Sequence, residues 1–335
     1  MALEMTVLGA GSWGTALAVH LARIGHHVRL WSIEAGVVAD IRERRTNTVY
    51  LPGVTVPASV EPTTDLQAAL ADSGMVVAAV PSQVMRLVIR QAAPLMAPGT
   101  IVVSVAKGLE LGSFQRMSQV IAQETAGRHP VAALSGPSFA VEVARQLPTA
   151  VSVACEDLAA AERVQAEFRA RFFRLYATAD VPGVEIGGAL KNIIAIAAGV
   201  VDGLGLGHNA LAALITRGLA EISRLAVAEG GRRETLAGLT GLGDLVLTCT
   251  GPHSRNRRVG IELAAGRPLS AILANMPHVA EGVKTTEAAL ALGAARGIEL
   301  PIAAQMADVF AGRKSPSAAL EELMLRPQRG EVDAG

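Results

Sequence analysis

Met5-Thr6-Val7-Leu8-Gly9-Ala10-Gly11-Ser12-Trp13-Gly14-Thr15-Ala16-Leu17 joins a strand to a helix through a glycine turn. An apolar, β-branched run passes straight into Gly9-x-Gly11-x-x-Gly14. A helical pattern follows, with Ala16, Leu17, Leu21 and Ile24 on one face and a stop at Gly25. Each glycine has a physical task. The first makes the tight turn, the second lets backbone approach a pyrophosphate, and the third lets helix and strand pack closely. The helix start presents free N–H groups and a partial positive charge. Gly9, Gly11 and Gly14 are therefore candidate dinucleotide contacts.

Further short apolar runs alternate with helical stretches on the C-terminal side of this turn. Residues 28–31, 75–80, 101–105 and 131–134 read, with 5–8, as buried strands apolar on both faces, and 150–154 is a further candidate. Helical patterns cover 12–24, 34–45, 66–71, 83–93 and 114–126. This alternation specifies an α/β, Rossmann-type doubly wound sheet in the N-terminal half. From about Thr178 the periods are helical: 184–229, broken at 203–207, then 256–265, 284–296, 302–310 and 317–325. Pro182 and Gly183 punctuate the change. Two domains are expected, a dinucleotide-binding domain at 1–180 and an all-α substrate and catalytic domain at 181–335.

Composition narrows the function. Half of the 335 residues are hydrophobic and 18% are charged, so the chain folds. Lys+Arg and Asp+Glu both number 30, and zero net charge argues against a nucleic-acid partner. Aromatics at 3% are too few for base-stacking platforms. Cys155 and Cys249 form neither a disulfide framework nor a zinc spacing, and they read as small buried thiols in a reducing compartment. No metal is suggested. Glu4 with no basic leader, and a longest apolar stretch at 193–201 that Asp202 ends, predict a cytoplasmic protein that is not membrane-integral.

The adenosine side reads Leu30-Trp31-Ser32-Ile33-Glu34. An acid at the end of the second strand suits NAD(H), and a cation suits NADP(H). Glu34 stands slightly late, no cation is adjacent, and Arg42, Arg44 and Arg45 read as a solvated helix face. Either cofactor, NAD(H) or NADP(H), is expected to serve.

Candidate chemistry lies elsewhere. Lys107 leaves the apolar run 101–105, and ligands bind at the carboxyl ends of parallel strands. Gly136-Pro137-Ser138-Phe139-Ala140 follows the fifth run and offers an anion or hydroxyl contact, or an ordinary helix cap. Lys191 sits in Gly187-Gly188-Ala189-Leu190-Lys191-Asn192-Ile193-Ile194-Ala195, where burial lowers a lysine's pKa and makes it a usable proton donor and acceptor. Asp244, in a glycine-rich turn, either holds a lysine ammonium or caps a helix. His253-Ser254-Arg255-Asn256-Arg257-Arg258 places a hydroxyl, an amide and cations at a helix start, suiting a phosphate.

Taken together these motifs resemble one family. Gly-Ala-Gly-Ser-Trp-Gly-Thr-Ala at 9–16, Ala-Lys-Gly-Leu-Glu at 106–110 and Ser-Gly-Pro-Ser-Phe-Ala at 135–140 carry the likeness. So do Ala-Leu-Lys-Asn at 189–192, Gly-Leu-Gly-Asp-Leu-Val-Leu-Thr-Cys-Thr at 241–250, Ser-Arg-Asn-Arg-Arg at 254–258 and Val-Ala-Glu-Gly at 279–282. The chain resembles bacterial-type NAD(P)-dependent glycerol-3-phosphate dehydrogenase along nearly its whole length. The resemblance implies reduction of dihydroxyacetone phosphate to sn-glycerol 3-phosphate for glycerophospholipid synthesis. It implies Lys191 as the proton-transferring residue, with Lys107 and Asp244 beside it. It places Lys107, Gly136, Ser138, Asp244, Ser254, Arg255 and Asn256 around a phosphorylated triose. It places Ser12, Trp13, Ala140, Arg255, Val279 and Glu281 on the dinucleotide, with Lys107 near both ligands. The family often carries His or Arg just after the second strand, where this chain has Ser32 and Ile33. A helical domain with apolar faces is expected to pair as a homodimer.

Two other readings compete. A 3-hydroxyacid or phosphogluconate type of lysine dehydrogenase resembles a pattern with Asn four residues after the lysine, where Ala195 stands here. A non-catalytic dinucleotide sensor leaves Lys191 and Asp244 without a purpose.

Overall fold

The computed structural model describes residues 2–276, 280–327 and 330. Its first half runs β1 (Glu4–Leu8), α1 (Ser12–Arg23), β2 (His27–Trp31), α2 (Ala35–Arg44), β3 (Thr46–Asn47), β4 (Leu51–Thr55), β5 (Val60–Thr63), α3 (Leu66–Leu70), β6 (Met75–Ala78) and α4 (Met85–Ala92). It continues with β7 (Ile101–Ser104), α5 (Met117–Glu124), β8 (Val131–Ser135), α6 (Ala140–Ala144), β9 (Thr149–Ala154), α7 (Leu158–Phe168) and β10 (Phe173–Thr178). The second half is helical: α8 (Val181–Gly203), α9 (Gly207–Ala228), α10 (Arg233–Ala237), α11 (Asp244–Thr250), α12 (Arg255–Ala264), α13 (Leu269–Ala274), α14 (Glu281–Arg296), α15 (Pro301–Phe310) and α16 (Pro316–Met324).

Eight strands form one sheet in the order β10-β9-β8-β7-β6-β1-β2-β5. The order reverses beside β1, which pairs in parallel with both β2 and β6. Successive residues serve opposite faces. Val7, Val77 and Val103 enter one core with Leu17, Leu21 and Phe168, while Leu8, Val76 and Val102 enter another with Met85 and Ile89. A sheet covered on both faces needs strands apolar throughout, which is why these runs lack alternation.

The structure adds to the sequence reading in four places. β5 joins the sheet edge beside β2, although Glu61 and Pro62 disguise it; proline is tolerated on an edge strand. β10 pairs in parallel with β9, its Phe173 and Leu175 buried and Arg174 and Tyr176 turned outward. β8 and β9 are antiparallel, so the sheet is mostly rather than wholly parallel. Their connection holds only the five-residue α6 and turns back at Gln146, φ 61°, instead of completing a crossover. The short helices α10, α11 and α13 also fall where the sequence showed no clear period.

α8 is the axis of the helical half. Every residue from Val184 to Val201 is buried, which explains a helix apolar nearly all round. By length and composition it could cross a membrane, but its most apolar window is wholly buried by other parts of the chain. Gly199 and Gly260 let α8 and α12 touch backbone to backbone. A Cβ at Gly199 would lie 1.9 Å from the Arg257 carbonyl oxygen, and one at Gly260 1.9 Å from that of Ile196. Glu221 of α9 receives the amides of Ile302 and Ala303, at 2.8 and 3.0 Å, and so fixes the start of α15.

Candidate active site

The glycine turn has the geometry its spacing predicts. Gly9 adopts φ +110°, and a Cβ there would meet the Ala79 carbonyl oxygen at 2.9 Å. A Cβ on Gly14 would lie 1.9 Å from the Gly9 carbonyl oxygen, so helix and turn pack without room for a methyl group. A Cβ on Gly11 would meet nothing within 4 Å. The N-terminus of α1 has no side-chain cap and no acid in its first turn. Open backbone at Gly11 beside uncapped helix amides fits a pyrophosphate. Trp13 packs against the sheet core, and its indole N–H is buried with no hydrogen-bond partner among the described residues.

The segment after α2 covers this turn. Asn47 donates 2.8 Å bonds to the Ala10 carbonyl and to Thr15 Oγ1, and Ser12 Oγ donates to the Tyr50 carbonyl at 2.5 Å. The sequence reading missed Asn47 and Tyr50, since a polar stretch between elements carries no period to flag it.

The chemistry centre gathers at the carboxyl ends of β7 and β8, against α8 and α11. Lys191 Nζ donates to Asp244 Oδ1 at 2.5 Å and to Thr248 Oγ1 at 2.8 Å. Lys107 Nζ donates to the other carboxylate oxygen at 2.7 Å and to the Gly136 carbonyl at 2.9 Å. One buried carboxylate thus holds two lysines. Burial pulls the Lys191 pKa down to about 7; Asp244 opposes that fall and Lys107 adds to it. Asp244 is the first residue of α11, preceded by a single π turn at Leu239–Gly243. Of the two roles its sequence position left open, the side chain takes the lysine-holding one. Thr248, four residues on, shares its helix face. That spacing is the signal that could have found Thr248.

Gly136 has φ +138°, and a Cβ there would lie 2.9 Å from the Val151 Cα, so only glycine fits this turn. Ser138 Oγ donates back to the Gly136 carbonyl at 2.9 Å. Ala140 begins α6 and packs on the sheet core. The buried Ser135 hydroxyl at the end of β8 has no hydrogen-bond partner among the described residues.

A polar chain closes the other side. Asn192 Nδ2 donates to the Lys107 carbonyl at 3.3 Å, and Asn192 Oδ1 accepts from Asn256 Nδ2 at 3.0 Å. Asn256 Oδ1 accepts the Gly282 amide at 3.1 Å. Asn192 neighbours the lysine in the Ala-Leu-Lys-Asn run, the one sequence signal for its place here. Ser254 caps α12 by accepting the Arg257 amide at 3.2 Å. Arg255 reaches the glycine turn, donating to Ser12 Oγ at 3.0 Å. Glu281 accepts from the Ser82 hydroxyl at 2.6 Å and from the Ser82 amide at 3.3 Å, and burial pushes its pKa up. Ser82 follows β6 and gave no sequence signal. Val279 lies outside the described residues. Among the described residues no group of three or more His, Cys, Asp or Glu is placed to hold a metal.

The structure therefore shows a glycine turn backed by uncapped helix amides, two lysines on one carboxylate, and Arg255 on Ser12 of the turn. Comparison with known proteins gives this arrangement a family. A model described as NAD-dependent glycerol-3-phosphate dehydrogenase N-terminus matches residues 4–161, and its C-terminus counterpart matches 180–321. Proteins of Koribacter versatilis and Acidobacterium capsulatum, both named NAD(P)+ glycerol-3-phosphate dehydrogenase, are 52% and 53% identical over 333 and 336 residues. Each match covers 98% of this chain and 99% of the relative. The crystal structure of glycerol-3-phosphate dehydrogenase from Coxiella burnetii matches with a TM-score of 0.94 at 42% identity, covering 97% of this chain and 99% of that one. The chain belongs to the NAD-dependent glycerol-3-phosphate dehydrogenase family and catalyses the NAD(P)H-dependent reduction of dihydroxyacetone phosphate to sn-glycerol 3-phosphate, the precursor of glycerophospholipids.

Proposed function

We propose that Lys191 gives the proton that the reduced carbonyl oxygen requires, and takes it back in the reverse reaction. The observation that carries this reading is the shared carboxylate: Asp244 holds Lys191 at 2.5 Å and Lys107 at 2.7 Å. NAD(P)H, when bound, supplies the hydride. Lys191 directs two of its three N–H bonds at Asp244 and Thr248, and the third is assigned to the substrate oxygen. A pKa of about 7 lets the same amine act as acid and as base near neutrality. Lys107, more exposed than Lys191, orients the substrate from the strand side, and its charge stabilises the developing alkoxide.

Gly9, Gly11, Ser12, Trp13 and Gly14 would hold the pyrophosphate side of the dinucleotide, with Lys107, Ala140, Val279 and Glu281 contributing contacts. Gly136, Ser138, Ser254, Arg255 and Asn256 would surround the substrate, with Arg255 clamping its phosphate. Remote binding energy at the phosphate then fixes the carbonyl against the lysine. Residues 1–180 and 181–335 are read as the dinucleotide-binding and catalytic domains; support comes from the last strand ending at Thr178 and α8 starting at Val181. A homodimer is proposed because α9 buries only part of one face, leaving Leu211 and Leu214 half covered, and Leu206 just before it is exposed. A cytoplasmic location is proposed from its metabolite substrate and from Cys155 and Cys249, both free thiols.

Turnover of Lys191→Met with NADH and dihydroxyacetone phosphate tests the central assignment. Loss of kcat by about 10²–10⁴-fold with NADH affinity kept supports it. Near-normal turnover moves the acid to another group.

A further inference from the structure

The end of β2 is fastened directly to the glycine turn: the Gly9 amide donates to the Trp31 carbonyl at 2.9 Å. Ser32, next in the chain, is buried, and its hydroxyl oxygen accepts the Glu34 amide at 3.2 Å. Ile33 is 81% exposed and offers no polar group. The Glu34 carboxylate is the next side chain able to meet the adenosine ribose. Tyr50 holds it, donating its hydroxyl to Glu34 Oε1 at 2.8 Å. Tyr50 is itself tied to the turn through Ser12 Oγ on its carbonyl. A continuous set of contacts therefore runs from the pyrophosphate cradle to Glu34.

The nearby cations have other partners. Arg42 donates to the Pro62 carbonyl at 3.1 Å, and Arg44 pairs with Asp40 at 2.7 Å. Arg45 donates to the carbonyls of Val60 at 2.9 Å and Ala58 at 3.2 Å. Arg44 is thus paired with a carboxylate, and Arg42 and Arg45 are turned toward backbone carbonyls on the β5 side. A 2′-phosphate carries two negative charges and needs a cation, whereas a 2′-hydroxyl needs an acceptor.

We propose that Glu34, positioned by Tyr50, is the cofactor-selecting residue of this chain and makes it prefer NAD(H) over NADP(H). The carboxylate accepts from the ribose hydroxyl of NADH and repels the 2′-phosphate of NADPH. This rests on the reading of Gly9–Gly14 as the pyrophosphate cradle.

Isothermal titration with NADH and with NADPH tests it on the full chain, without turnover. Wild type is expected to bind NADH at least about 10-fold more tightly, equivalent to about 1.4 kcal/mol. Glu34→Gln lies on the surface and should fold normally. It should bring the two affinities within about threefold, mainly by improving NADPH binding, since removing a like charge relieves the repulsion. Arg42→Ala should leave NADPH affinity unchanged. Equal or tighter NADPH binding in wild type overturns the proposal. So does a ratio unaltered in Glu34→Gln, or NADPH affinity lost in Arg42→Ala. Failure of both nucleotides to bind overturns the cradle reading itself, and this inference with it.

Discussion

Asp244 Oδ1 stands 2.5 Å from Lys191 Nζ, with the carboxylate side chain 1% exposed and the lysine 7%. Each group needs the other. An isolated buried charge is costly, and a pair recovers that cost only when hydrogen bonds complete it. Here Thr248 takes a second lysine N–H and Lys107 takes the second carboxylate oxygen. Burial still dominates, so the amine titrates near 7 instead of the ordinary lysine range.

Asp244→Asn should move the pH dependence of reduction in a known direction. Asp244 raises the Lys191 pKa, so removing its charge lowers that pKa further. Less amine is then protonated at neutral pH, and the falling limb of kcat shifts to lower pH. A limb at the wild-type position would show that Asp244 does not act through Lys191. We expect kcat at pH 7 to drop by about 10²-fold, read from steady-state NADH oxidation.

Two glycine variants separate cofactor binding from folding. Gly11→Ala adds a methyl group that meets no protein atom within 4 Å, so its Tm should match wild type while NADH affinity falls by about 10-fold or more. Gly14→Ala drives a methyl group to 1.9 Å from the Gly9 carbonyl oxygen and should cost about 1–3 kcal/mol of stability. Urea unfolding and NADH titration of both variants check this. Unchanged affinity in Gly11→Ala would remove the pyrophosphate from this turn.

Arg255 reaches Ser12 of the glycine turn at 3.0 Å, and the proposal gives it the substrate phosphate. Arg255→Ala should cost about 2–5 kcal/mol in kcat/KM for dihydroxyacetone phosphate, the usual loss on truncating one partner of a buried charge pair. Arg255→Lys should restore only part, because an ammonium lacks the planar two-pronged contact. Dihydroxyacetone, which has no phosphate, is the control. Arg255→Ala should hardly affect its slow reduction. Equal losses on both substrates would assign Arg255 to the dinucleotide alone.

The sequence exposed those parts of the molecule where one residue type alone satisfies the physics. Gly9, Gly11 and Gly14 could be read because a strand, a turn and a helix meet there in a fixed count. Lys191 could be read because a cation in so apolar a helix is conspicuous. β5 stayed hidden because Glu61 and Pro62 on an edge strand break the apolar run. β10 stayed hidden because it alternates where the other strands do not. Asn192, Thr248, Ser82 and Tyr50 act through partners between 4 and 199 positions away, and such partners become visible only when the chain folds. Asp244 was ambiguous for the same reason, since a helix start and a lysine partner ask for the same carboxylate.

On this proposal one amine, Lys191, titrating near pH 7, gives the proton in reduction and takes it in oxidation. The most direct test is kcat of the wild-type enzyme from pH 5 to 9 in both directions, with both substrates saturating. Reduction requires the protonated amine, so its kcat should fall through a midpoint near the Lys191 pKa of about 7. Oxidation requires the neutral amine, so its kcat should rise through a midpoint in the same region. Flat profiles, or two profiles that rise or fall together, would contradict the claim.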